Sequence, residues 1–158
     1  MATKSPVSVV RMKVSLVEGS DCWREIEVPA RASLWKLAQA IVGAFGFHFD
    51  HAFGFYSDLG DFYQRSATRY EMFADMDDAD DWPPEPGQSP AISVKKTKVG
   101  QAFTEIGQRM QFIFDYGDEW RFLIEVTGTG AKVAGQRYPA VVASQGTAPE
   151  QYPDEEDE

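Results

Sequence analysis

Hydrophobic and polar positions alternate from Val9 to Val17: Val10, Met12, Val14 and Leu16 face one way, Arg11, Lys13 and Ser15 the other. That two-residue period predicts a half-buried strand. Glu18-Gly19-Ser20-Asp21 has turn chemistry, and Trp23 to Val28 predicts a second strand that Pro29 ends. The period then changes. Ser33 is a good N-cap, and Leu34, Leu37, Ala38, Ile41 and Phe45 fall on one helical stripe, with Gly46 where a left-handed residue closes a helix. Strand, strand, helix with short links predicts the opening of a β-grasp-like α+β domain, in which the helix lies across the hairpin and further antiparallel strands follow.

Ala52 to Tyr56 and Phe62 to Gln64 read as two short strands around Ser57-Asp58-Leu59-Gly60-Asp61. From Ala74 to Pro90 the pattern fails: the stretch holds six acids and five glycines or prolines, including Trp82-Pro83-Pro84-Glu85-Pro86. Such a composition buries little and favours a solvated, extended chain, so it predicts a mobile acidic insertion within one domain. Order resumes near Ile92. A short helix is predicted over Val99 to Ile106, and a hairpin over Met110 to Tyr116 and Glu119 to Thr127. In its second strand Trp120, Phe122, Ile124 and Val126 share a face, and Gly117-Asp118 supplies the turn. The expected organisation is one domain over residues 7–140 and an extended acidic tail over 141–158.

Charge sharpens this picture. The 158 residues carry 25 acids and 15 bases, a net charge of −10. Seven acids and no base lie between Glu71 and Glu85, and six acids and no base between Glu150 and Glu158. Outside those two stretches twelve acids face fifteen bases, so the body is close to neutral. An acidic whole argues against direct nucleic-acid binding, although a small basic patch on the body stays possible. Cys22 is the sole cysteine, which excludes an intrachain disulfide and a zinc ribbon. No stretch reads as a signal peptide or a membrane span, and the chain is expected to be cytoplasmic.

The candidate chemistry gathers at few places. Asp115 and Asp118 flank an aromatic turn, Phe114-Asp115-Tyr116-Gly117-Asp118-Glu119-Trp120. Converging carboxylates there could bind a cation or act as acid and base; alternatively they accept backbone N–H groups in a tight turn. His48 and His51 are the two histidines, too few for a closed transition-metal site, so neither a metal nor another cofactor is expected. Cys22 beside Trp23-Arg24 reads as a small residue at a strand start. No phosphate-binding glycine loop and no nucleophile elbow are present.

Several landmarks occur in one order: Trp23-Arg24-x-Ile26-x-Val28-Pro29, Leu34-x-x-Leu37 with Ile41, Phe45-Gly46-Phe47, His51, and Tyr116-Gly117-Asp118-x-Trp120. In this the chain resembles the plasmid pRiA4b ORF-3-like family, whose members usually read Phe-Gly-Trp after the helix and Tyr-Asp-Phe-Gly-Asp-x-Trp in the late hairpin. Here Phe47 stands for the usual Trp, and the two aromatics around Asp115 are exchanged. Ala52 follows His51 where Leu is common. Tyr138-Pro139 and Gly146-x-Ala148-Pro149-Glu150 are similar to the family's tail. The resemblance implies an α+β fold and no particular activity; the labels of some members that refer to mobile genetic elements give context only. Its matched positions make Trp23, Arg24, His51, Asp115, Asp118 and Trp120 the candidate functional cluster. The leading expectation is a non-enzymatic binding or adaptor module with a protein partner, its sheet edges suited to strand addition. A metal-dependent or acid–base hydrolase using His51, Asp115 and Asp118 is the alternative, and an acidic nucleic-acid mimic is a third.

Overall fold

Ser33 opens the principal helix, α1 (Leu34–Ala44), with its side chain accepting the backbone N–H of Lys36 at 3.2 Å. Leu34, Leu37, Ala38, Ile41 and Val42 form its buried stripe, and Gly46 follows at φ 75°, a left-handed closure that costs glycine nothing. The computed structural model describes residues 8–18, 21–75 and 89–152. The stripe packs on one sheet built from β1 (Val9–Leu16), β2 (Trp23–Pro29), β3 (Phe53–Tyr56), β4 (Arg69–Glu71), β5 (Ile92–Ser93), β6 (Arg109–Phe114), β7 (Trp120–Gly130) and β8 (Ala140–Gln145). A single further α-helical turn among the described residues, α2 (Val99–Ala102), precedes β6.

The eight strands run in the order β5-β4-β3-β6-β7-β1-β2-β8, antiparallel except for the β4–β5 pair. This corrects the β-grasp-like α+β expectation. The predicted hairpins form in register, Val14 opposite Arg24 and Phe112 opposite Phe122. However, the long β7 pairs with β1, so both hairpins fuse into one mixed sheet with one substantial helix on it. The strand expected over Phe62–Gln64 is instead a 3₁₀ turn, Tyr63–Arg65, whose Tyr63 ring packs 4.8 Å from that of Tyr56. The helix expected to reach Ile106 stops at Ala102, because Phe103 is extended and goes into the core. The extended tail expected from residue 141 instead contributes β8, and Gln151 beyond it is buried. Of the mobile insertion expected over 74–90, residues 76–88 lie outside the described residues.

The core sits between α1 and the sheet face bearing Met12, Val14, Ile26, Phe53, Phe112 and Phe122, all buried completely or nearly so. Each such side chain contributes about 1.5–3 kcal/mol of burial. On the opposite face Tyr56, Tyr63 and Ile113 form a second small cluster under the β3–β6 half. The β1–β2 half of that face carries charges in cross-strand pairs, such as Arg11 with Glu27 at 2.6 Å. Among the described residues no helix is long and apolar enough to cross a membrane.

Candidate functional site

The β6–β7 turn is organised by Asp115. Its side chain is buried (7% exposed), its φ is 64°, and one carboxylate oxygen accepts the N–H groups of Gly117 at 3.1 Å and Asp118 at 3.3 Å. Its backbone N–H donates to Ala52 at 2.8 Å, and its carbonyl accepts Glu119 at 2.6 Å. Aspartate tolerates the left-handed region because its short side chain bonds locally, which is what happens here. Asp118 is exposed, and its carboxylate bonds to nothing among the described residues. Of the two candidate acids, the turn is built on Asp115, and Asp118 supplies only a backbone donor to it.

His51 stands beside this turn. Its Nε2 lies 3.4 Å from the second Asp115 oxygen, 3.6 Å from Asp50 and 2.5 Å from the Tyr152 hydroxyl. The Tyr152 hydroxyl also donates to Asp50 at 3.0 Å, so it links Asp50 to His51. Lost hydration and the Asp50 carboxylate push the Tyr152 phenol up to about 12. Neighbouring Gln151 accepts from His48 N–H at 2.7 Å and donates to the His48 carbonyl at 3.2 Å. Gln151 and Tyr152 thus tie the end of the described chain to the segment after α1. No sequence signal marks them, since a Gln-Tyr pair in a polar, Pro-rich stretch has no periodicity. Among the described residues no three His, Cys, Asp or Glu side chains converge so as to hold a metal ion.

Arg24 lies apart from that corner. Its Nε donates to the last carbonyl of α1, Ala44, at 3.0 Å, and its terminal nitrogen reaches the carbonyls of Trp23, Gln145 and Gly146 at 2.9–3.1 Å. A cation at a helix C-terminus satisfies orphan carbonyls and complements the helix dipole. Its guanidinium also lies 5.0 Å above the Phe45 ring. Arg24 therefore clamps α1 to the end of β8. Trp23 points to the opposite sheet face under the Lys13 ammonium, 5.0 Å away. Trp120 packs on Phe47, ring centroids 4.8 Å apart, and its indole N–H is buried with no partner among the described residues. The structure brings His51, Asp115 and the backbone of Asp118 together; it leaves Arg24 and Trp23 in separate structural roles.

A second polar cluster lies on the reverse face. The Tyr56 hydroxyl donates to Glu71 and is 2.6 Å from that of Tyr116, and Arg69 pairs with Glu71 at 3.0 Å. Burial is the main cause raising both phenols well above the ordinary tyrosine range. Gly54 makes room: a Cβ there would sit 2.6 Å from both hydroxyl oxygens.

The feature with the geometry of a binding surface is at the β8 edge. Nothing among the described residues pairs with its outer side. It reads Ala-Val-Val-Ala-Ser-Gln, without charge, and Val141 and Val142 are 50% and 44% exposed. Beside it a groove of about 370 Å³ runs between α1 and β8, lined by Ile26, Lys36, Gln39, Gly43, Ala44 and Val141 among others. The groove exists because α1 turns small residues toward β8. The β-branched pair between Pro139 and Gly146 is a strand signal, masked in the sequence by the Gly, Ala and Pro around it.

Comparison with known proteins agrees with this architecture. None of the curated proteins matches the chain. A crystal structure of a protein of unknown function, MM3350 from Methanosarcina mazei Go1, is similar with a TM-score of 0.67 and 21% identity, over 91% of this chain and 72% of that one. At that identity the likeness is one of fold. The model of the plasmid pRiA4b ORF-3-like proteins matches residues 8–154, which takes in the Trp23-Arg24 strand, the helix, the Asp115 turn and β8. The chain belongs to the plasmid pRiA4b ORF-3-like family.

Proposed function

We propose that this protein is a binding module that takes up an extended polypeptide segment by strand addition at β8. The observation that carries the reading is the unprotected edge. Natural sheets blunt their terminal strands with charge, proline or cover, because free backbone groups recruit other chains. Here β8 is uncharged, it exposes two valines, and it adjoins a groove that could receive alternate side chains of an added strand. The bulge between Glu25 and Ile26, opposite Val142, is the one irregularity in its pairing with β2.

The hydrolytic alternative asks His51, Asp115 and Asp118 to act together. Asp115 is engaged by backbone donors, Asp118 is turned to solvent, and Nε2 of His51 is engaged by Tyr152. A mimic of nucleic acid would rest on the acidic stretches 71–85 and 150–158, most of which lie outside the described residues.

Selection of extended peptides from a displayed random library, followed by mapping of backbone amide shifts in the labelled protein, tests the reading. Selected peptides should perturb Ala140–Gln145 and the α1 residues facing them, and Val142→Pro should abolish their binding while the fold persists. Perturbation confined to His51, Asp115 and Tyr152 would refute strand addition.

A further inference from the structure

Resting on the strand-addition reading, we infer that the segment taken up at β8 carries bulky apolar side chains at two alternate positions, one of them aromatic, and that these seat in the groove between α1 and β8. The register fixes which side chains of the partner reach it. Val141 pairs with Ile26, which is buried on the α1 side of β2, and residues directly opposite each other in neighbouring strands share a face. Val141 therefore points to the α1 side, where it lines the groove with Ile26. The residue of an added strand that lies opposite Val141 points to the same side, and so does the residue two positions along.

The groove has the dimensions of such a pair. A cavity of about 150 Å³ is enough to hold a benzene ring, and this groove has about 370 Å³. It follows α1 from Lys36 to Ala44, roughly 12 Å of helix, whereas alternate side chains of a strand stand roughly 7 Å apart. Its helical wall is built largely of small residues, Ala40, Gly43 and Ala44. Nothing within the chain requires Gly43 to lack a side chain: a Cβ there would meet no atom within 4 Å, and its φ lies outside the left-handed region. Glycine within a helix is less stable than alanine. The bare backbone at Gly43 therefore keeps open a space that the chain itself leaves unfilled.

Electrostatics select an aromatic side chain for one of the two positions. Lys36 is the single charged residue of the lining, and it forms no ion pair among the described residues. A carboxylate from the partner would answer that charge but would have to leave water for an otherwise apolar groove. The face of an aromatic ring attracts the ammonium while burying apolar area. The same arrangement recurs within the chain, where Lys13 lies 5.0 Å over Trp23 and Lys95 4.7 Å over Trp35. A free apolar molecule would use the groove alone. A strand uses the groove and the unpaired edge together, since Val141 belongs to both.

Three short peptides of alternating threonine and serine decide it, with alanine and alanine, leucine and leucine, or phenylalanine and leucine at two alternate central positions. They are titrated into the labelled full chain, and into Gly43→Leu and Lys36→Gln variants whose folding is checked by circular dichroism. The phenylalanine–leucine peptide should bind at least about tenfold tighter than the alanine peptide and about threefold tighter than the leucine peptide, and shift resonances of both β8 and residues 36–44. Gly43→Leu should remove the first advantage and Lys36→Gln the second. Equal binding of all three peptides at β8 overturns the inference and leaves strand addition standing. Binding of none overturns both. An advantage over the alanine peptide that survives Gly43→Leu, or one over the leucine peptide that survives Lys36→Gln, overturns the inference. So does N-acetyl-phenylalaninamide binding as tightly as the whole peptide, since the groove would then be a pocket for free aromatic molecules.

Discussion

Replacing Asp115 separates the two acids of the aromatic turn. In Asp115→Ala two backbone N–H groups, of Gly117 and Asp118, lose their carboxylate acceptor. Leaving donors unsatisfied costs about 1–3 kcal/mol, and because both residues are exposed and water can reach them, the lower half of that range applies. Alanine at φ 64° adds about 1–2 kcal/mol for the left-handed conformation. Together the change should cost about 2–4 kcal/mol, a fall of roughly 5–15 °C in melting temperature for a domain of this size. Asp115→Asn keeps an acceptor oxygen and tolerates the conformation, and should cost about 1 kcal/mol. Asp115→Gly removes the acceptor but not the conformational ease, and should fall between them. Asp118→Asn touches no side-chain bond and should stay within about 0.5 kcal/mol of the parent. Urea unfolding followed by tryptophan fluorescence gives all four values. If Asp118→Asn costs as much as Asp115→Ala, or Asn and Ala at 115 are equivalent, the turn is not held as described.

Two further outcomes are expected. Arg24→Met should cost about 2–4 kcal/mol in the same assay, with Arg24→Lys recovering only part, since an ammonium cannot span Ala44, Gln145 and Gly146 as the guanidinium does; a neutral Arg24→Met would remove its role as a clamp. Tyr56 and Tyr116 have folded-state values raised by burial, and Tyr152 is raised to about 12. Their stabilising contribution is therefore complete below the unfolded value of about 10 and is lost as pH rises through and beyond it. Burial also raises Tyr63 and Tyr70, so an alkaline absorbance titration should show five of the six tyrosines ionising late; six ionising together near pH 10 in the folded protein would contradict the buried cluster.

Local chemistry made much of this protein legible in its sequence. The alternation of Val10, Met12, Val14 and Leu16, the Ser33 cap, the α1 stripe and the Trp120–Val126 face each depend on neighbours two to four residues away, and each stands where the pattern puts it. The order of landmarks from Trp23-Arg24 to Trp120 sufficed to identify the family. The Asp115 turn was visible too, but not which aspartate builds it, because that depends on a φ angle and on which carboxylate folds back over Gly117.

What remained was decided by contacts between residues far apart in the chain. β7 pairing with β1, more than one hundred positions away in sequence, turns two hairpins into one mixed sheet, and no local period records a partner at that distance. β4 and β5 have three residues and two, too short to carry an alternation; β4 exists because β3 offers a template, and β5 because β4 does in turn. β8 looked like tail because glycine, alanine and proline surround it, and becomes a strand because β2 has a free edge and Arg24 binds its end. The groove between α1 and β8, the packing of residues 94–97 on the first turn of α1, and the meeting of His51 with Tyr152 all arise from chain crossings. Sequence determined which segments have a face to bury; tertiary structure determined which edge was left uncovered, because pairing is a property of two strands and an open edge is a property of the whole sheet.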